Sequence, residues 1–201
     1  MGFEAIRRAA KRSGKIGEAT TASVLACLPQ GFYVFNNVLL KWKGRGGARS
    51  TQIDHVVVSP YGIFVIETKN HKGVIFGNMV DEYWTQALRM GRQCFNFRNP
   101  FYQNAGHIRT LSEQLGLPCN VMVGLVVFTN PEVVLNNVAA PCIPVNYLYA
   151  TIIQYTCRPI WNATQTYQIA CAIQSLNRSS RYNDAQHVKY VNTIKSFRGG
   201  V

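Results

Sequence analysis

Acidic side chains are scarce in this chain. Glu4, Glu18, Asp54, Glu67, Asp81, Glu82, Glu113, Glu132 and Asp184 are the only nine, against 21 Lys and Arg, for a formal net charge of +12. So basic a chain tends to meet a polyanion, either nucleic acid or an anionic membrane surface; a plain solubility bias is the bland alternative. Scarcity also gives each acid weight, because an acid inside an apolar segment needs a reason. Paired cysteines are missing too. Cys27, Cys94, Cys119, Cys142, Cys157 and Cys171 form no CxxC pair and no Cys/His cluster with zinc spacing. With no secretory signal, they read as reduced thiols of a cytoplasmic protein.

Long apolar runs are also lacking. The N-terminal MGFEAIRRAAKRSGK has basic residues but no following run long enough for a signal peptide. The most apolar later stretch, 138–153, is interrupted by Pro141 and Pro144, so no membrane span is expected. There is no internal repeat and no low-complexity segment. What remains is 201 residues with 47% apolar content, enough for one compact domain with a sizeable core.

Residues 1–13 read as a basic helix or arm, where Arg7, Arg8, Lys11 and Arg12 suit either phosphate contact or a solvated face. Residues 14–28 read as a helix closed by Pro29 and Gly31, and 32–40 as a strand. The stretch 41–50, KWKGRGGARS, reads as a basic glycine-rich loop, with Lys41, Lys43, Arg45 and Arg49 suited to a phosphate backbone, or else as a plain flexible connection. Residues 51–59 and 62–68 are two apolar, β-branched runs separated by Pro60 and Tyr61, which predicts a tight hairpin of central strands. A strand over 72–76 follows, and 78–98 gives no clear pattern. Helices are expected over 101–115, 147–157 and 163–176. A strand is expected over 121–129, a proline-rich loop over 130–144, and a basic, partly mobile tail over 178–201. This order fits an α/β domain around a small mixed sheet.

The hairpin carries the chemistry. With Ser59 facing Gly62, counting five residues back and five forward sets Asp54 opposite Glu67. Directly opposed residues share a face with Cβ atoms about 5 Å apart; a bulge at Gly62 would make them diagonal neighbours. Lys69, two residues beyond Glu67, projects from that same face. Two close carboxylates repel unless a cation lies between them, and hard oxygens suit Mg²⁺ or Mn²⁺. The structural alternative is a buried carboxylate–lysine ion pair. His55 points to the opposite face and reads as structural, and Trp84 reads as a packing residue, with stacking on a base as the alternative.

Gly17-Glu18, then TQIDHVVVSPYGIFVIETKNHKGVIFG, then NPFYQNAGH resemble the NERD (nuclease-related) domain of the PD-(D/E)XK nuclease superfamily, over roughly residues 14–130. The resemblance implies a restriction-endonuclease-like core of order α-β-β-β-α-β over about 14–130, and the chain as a whole is expected to form a single domain of about 14–177 around it. It implies Asp54 and Glu67 as metal ligands, with the main-chain carbonyl of Thr68 as another. Lys69 would orient or activate the attacking water, and Glu18 would complete the site. Gln103 falls in the family's later motif and suits a water or phosphate oxygen. His107, four residues on, shares its helical face and either lines the site or packs as a structural histidine. Asn70 and His71 suit substrate contact. The expected activity is Mg²⁺- or Mn²⁺-dependent phosphodiester hydrolysis, on DNA in preference to RNA and with little sequence specificity. The alternatives are a non-cleaving module that tethers nucleic acid, or a basic protein on membranes or another protein whose acids are structural. Oligomeric state and protein partners are not legible.

Overall fold

The computed structural model describes residues 3–44, 47–138 and 141–181. Helix α1 (Phe3–Leu25) leads into an antiparallel meander of β1 (Tyr33–Gly44), β2 (Gly47–Ser59) and β3 (Gly62–Lys69). β4 (Gly73–Phe76), β5 (Tyr83–Leu88) and β6 (Gln93–Arg98) come next, then α2 (Pro100–Leu115) and β7 (Met122–Phe128). β8 (Val133–Asn136), β9 (Cys142–Pro144), α3 (Leu148–Gln154) and α4 (Ala163–Arg181) complete the chain. The main sheet has the order β1-β2-β3-β7-β9, and a second sheet has the order β6-β5-β4-β8. β7 runs parallel to β3, so the main sheet is mixed. This is the α/β architecture expected of a restriction-endonuclease-like core, with the second sheet built largely from an insertion between β3 and α2.

β3 is central, and residues 62–67 are buried. Its alternation splits two cores. Ile63 and Val65 join Val56, Val58, Leu111 and Ile173, under α2 and α4. Phe64 and Ile66 join Leu25, Val57, Leu125, Leu148 and Ile152, under α1 and α3. Each such fully buried side chain contributes roughly 1.5–3 kcal/mol. A third cluster of Ile75, Trp84, Val126 and Phe128 fixes the second sheet to the end of β7.

The β1–β2 pair changes phase once. Tyr33 and Phe35, and then Val38 and Leu40, pack toward the same core; so do Val58 and Val56, and then Ile53. The skipped positions are Asn37 and Asp54, between the paired residues Asn36↔His55 and Val38↔Ile53. Asn37 has φ 55°, a left-handed conformation that asparagine tolerates better than most residues. Asp54 therefore sits at a kink in the alternation, not within a regular strand.

Several local expectations change. The described part of the expected arm, residues 3–13, and the following helix are one continuous helix, because Gly14 alone does not end it. The expected loop over 41–50 is mostly a hairpin, with β1 and β2 paired out to Gly44↔Gly47. Residues 78–98 contain the β5–β6 hairpin, and the loop over 130–144 contributes β8 and β9. The tail expected over 178–201 lies outside the described residues beyond Arg181, as do residues 45 and 46.

Candidate metal-dependent active site

The site forms where β3 leaves the core, and each neighbouring helix is held there by a specific contact. On α1, Ser13, Gly17, Thr21 and Leu25 recur every four residues on one face. A Cβ on Gly17 would lie 2.8 Å from Thr129 Oγ1 and 2.9 Å from Asn70 Cβ. Only glycine lets the helix press this closely on the end of β3, which brings the next residue, Glu18, to the site. Asn70 Nδ2 donates to the Ser13 carbonyl at 2.9 Å and to Ser13 Oγ at 3.1 Å. On the other face, Asn104 of α2 donates to the carbonyls of Val65 and Leu125, at 2.9 and 3.1 Å. Gly124 leaves room for that amide, since a Cβ there would lie 3.2 Å from Asn104 Nδ2. Asn99 caps α2 by accepting from Phe101 N at 2.9 Å. Together these contacts set Gln103 and His107 over the end of β3.

The β2–β3 register is as read from the sequence: Ser59 pairs with Gly62, without a bulge. The ladder stops at His55↔Ile66, one pair short of Asp54 and Glu67. There the Thr68 N–H donates to Asp54 Oδ2 at 2.8 Å, so the carboxylate takes over from the backbone ladder. Lys69 Nζ donates to Glu67 Oε1 at 2.6 Å and to Gln103 Oε1 at 3.1 Å. His107 lies on the other oxygen, with Nε2 3.3 Å from Glu67 Oε2. Its Nδ1 shares a 2.9 Å hydrogen bond with Thr51 Oγ1. Glu67 is 2% exposed and His107 5%.

The acids feel one another. Burial, then the charge of Glu67, push the Asp54 carboxyl up to about 8, against which the Thr68 N–H works. Burial pushes Glu67 up as well, but Lys69 and His107 outweigh it and hold its pKa below the usual value. Glu18 is raised by burial and by Glu67, and Lys15 opposes the shift. The site thus favours the ionised form of Glu67 and the protonated form of Asp54.

Glu18, Asp54, Glu67, Lys69, Gln103 and His107 therefore converge. Other residues picked from the sequence do not join them. The Asn70 amide is occupied with Ser13. His71 stacks on Phe97 at 4.5 Å between centroids, and burial, helped by Lys69, lowers its pKa to about 4. Lys41 and exposed Arg49 lie along the β1–β2 hairpin. Lys43 lies on β1 with its side chain outside the described residues, as is Arg45. His55 bonds Asn36 Oδ1 at 2.7 Å, and burial lowers its pKa to about 4. Trp84 is fully buried against Phe97 and Phe101. Sequence reasoning missed Thr51 and Asn104. Asn104, inside the matched NPFYQNAGH motif, was the more visible of the two.

Among the described residues, no three of His, Cys, Asp and Glu group closely enough to form a metal site by themselves. Mg²⁺ asks for less, because it usually binds one or two carboxylates and keeps several waters. Two observations fit such an ion. Glu67 is buried with His107 Nε2 3.3 Å from its Oε2, and burial together with Glu67 disfavours the ionised form of Asp54, a form that a cation would favour. The donor atoms are hard oxygens, as Mg²⁺ and Mn²⁺ prefer.

An uncharacterized Bacillus anthracis protein is 40% identical over 113 residues, covering 54% of this chain and 50% of that protein. The chain thus matches about half the length of this curated relative. No solved structure matches the chain. No helix among the described residues is long and apolar enough to cross a membrane. The family model for the nuclease-related domain matches residues 13–129, which takes in the helix carrying Glu18, the β2–β3 hairpin, α2 and β7. The chain belongs to the NERD, or nuclease-related domain, family within the PD-(D/E)XK nuclease superfamily.

Proposed function

We propose that this protein hydrolyses phosphodiester bonds in nucleic acid, DNA in preference to RNA and with little sequence specificity, using Mg²⁺ or Mn²⁺. The observation that carries this reading is the Glu67 carboxylate. It is buried, held by Lys69 at 2.6 Å on one oxygen, and faced by His107 Nε2 at 3.3 Å on the other. Asp54, Glu67 and the Thr68 carbonyl would hold the ion, and Glu18 would bind it directly or through water. Bound there, a divalent ion supplies Lewis-acid charge and a more acidic water.

The remaining work falls to the chain. Lys69 uses two of its three donors on Glu67 and Gln103, leaving one for the attacking water or a phosphate oxygen. Gln103 limits the swing of the ammonium. His107 and Thr51 fix the rotamer of Glu67, acting as positioning residues. The water oxygen bonds to phosphorus as the bond to the sugar oxygen breaks. The hairpin bearing Lys41, Lys43, Arg45 and Arg49 would hold the backbone without reading bases. Six free cysteines suit a reducing, cytoplasmic setting.

The test is plasmid cleavage with Mg²⁺, with EDTA, and by the Glu67→Ala and Lys69→Ala variants. Cleavage that stops with EDTA and in both variants is expected. Cleavage that survives EDTA, or that both substitutions leave intact, overturns the mechanism. DNA binding without cleavage in any divalent ion would favour a tethering module.

A further inference from the structure

α1 carries more positive charge than folding needs, and its arrangement points toward the site. Ser13, Gly17, Thr21 and Leu25 occupy the face turned to the sheet: Ser13 bonds Asn70, and Thr21 and Leu25 are buried. Arg7, Lys11 and Lys15 are exposed, and Glu18 is half-buried. At about 1.5 Å of rise and about 100° of turn per residue, these four lie within roughly 80° of arc. The cations follow one another at about 6 Å, and the row ends at Glu18 about 16 Å from Arg7. Arg8 does not belong to the row, since it is paired with Glu4 at 3.1 Å.

We propose that Arg7, Lys11 and Lys15 form a cationic rail that binds the phosphodiester backbone of nucleic acid and leads it to the Glu18 end of the site. This deepens the nuclease reading and rests on it. The charge is sequence-blind, as contacts to phosphate are. An anionic membrane could also attract these cations. However, the row runs directly into the acidic site, so a polyanion strand is the better occupant.

Because the rail works through phosphate charge, salt dependence reads it out. Binding of a labelled 30-base-pair duplex is measured in EDTA by fluorescence anisotropy across a salt series. The variants are Lys11→Gln/Lys15→Gln and, as a charge-matched control, Arg109→Gln/Arg158→Gln, both exposed, the first on α2 and the second in the α3–α4 connection. The rail variant is expected to bind about tenfold more weakly at low salt and to flatten the slope of log K against log salt by about two, one per lost phosphate contact. The control should leave the slope unchanged, and all proteins should melt at the same temperature. Equal slopes in rail and control variants overturn the proposal. So does loss of binding to phosphatidylserine vesicles in the rail variant while duplex binding is unaffected. The measurement needs no cleavage, so a failed rail is distinguishable from a failed metal site, which EDTA and Glu67→Ala test separately.

Discussion

At its turn the β2–β3 hairpin satisfies its buried polar groups; at its open end it does not. Ser59 is fully buried, donates to the Gly62 carbonyl at 3.1 Å and accepts from Tyr61 N at 3.2 Å. Its neighbours Val58 and Ile63 are fully buried. About seven residues away, the pattern inverts. Four buried side-chain atoms find no hydrogen bond among the described residues: His55 Nε2, Glu67 Oε2, Asn104 Oδ1 and His107 Nε2. All four residues lie on or beside this open end. Two of these atoms, Glu67 Oε2 and His107 Nε2, lie 3.3 Å from each other, so the open end satisfies its buried polar groups less fully than the turn does, and each atom left unpaired there costs about 1–3 kcal/mol. One end of the hairpin is built for stability, and the other is held ready for charge.

Substitutions at the two ends should separate these roles. The largest effect is expected from Glu67→Ala or Lys69→Ala, which should lower Mg²⁺-dependent cleavage by about 10²–10³-fold or more. Turnover of a labelled duplex, with a thermal melt to verify folding, checks this. His107→Ala should cost about 10–100-fold in rate or metal affinity, as loss of a residue orienting a ligand does. Thr51→Val, one step further out, should cost a few-fold by the same logic. Metal titrations of both variants order the chain of contacts, and a Thr51 effect larger than that of His107 would reverse it.

A third expectation concerns pH. The folded Asp54 pKa of about 8 lies above the ordinary 3.8, so the native state keeps a proton that the unfolded chain releases. Its contribution to metal-free stability is complete below about pH 4 and is lost as pH rises through about 8. A divalent ion must expel that proton, so affinity should rise by up to about tenfold per pH unit between roughly pH 6 and 8. Denaturant melts and metal titrations at stepped pH read the two opposite slopes. The smallest effect belongs to the turn, where Ser59→Ala should cost about 1 kcal/mol of stability and leave turnover and metal affinity unchanged.

The part legible in the sequence was the local part. A short turn fixed the register that sets Asp54, Glu67 and Lys69 together, and α2 showed its stripe of Ile108, Leu111 and Leu115. What stayed hidden depended on distant or irregular partners. Thr51 reaches His107 across 56 positions, and nothing near either residue signals the pairing. The phase change at Asn37 relies on a left-handed asparagine that looks like any other polar residue in a strand. The β5–β6 hairpin turns through Arg89 and Met90, both with positive φ and neither a usual turn residue. β8 and β9 are short and acquire their strand character only by pairing beside β4 and β7. Gly14 suggested a break in α1, yet helix continues on both sides of it.

The most direct measurement is calorimetric titration of Mn²⁺ into the metal-free protein near pH 8, with Asp54→Asn, Glu67→Ala and Ser59→Ala in parallel. If the open end of the hairpin is a cation site, the parent and Ser59→Ala bind Mn²⁺ with matching heats, and the two acid variants lose that signal. Undiminished binding in both Asp54→Asn and Glu67→Ala would contradict it.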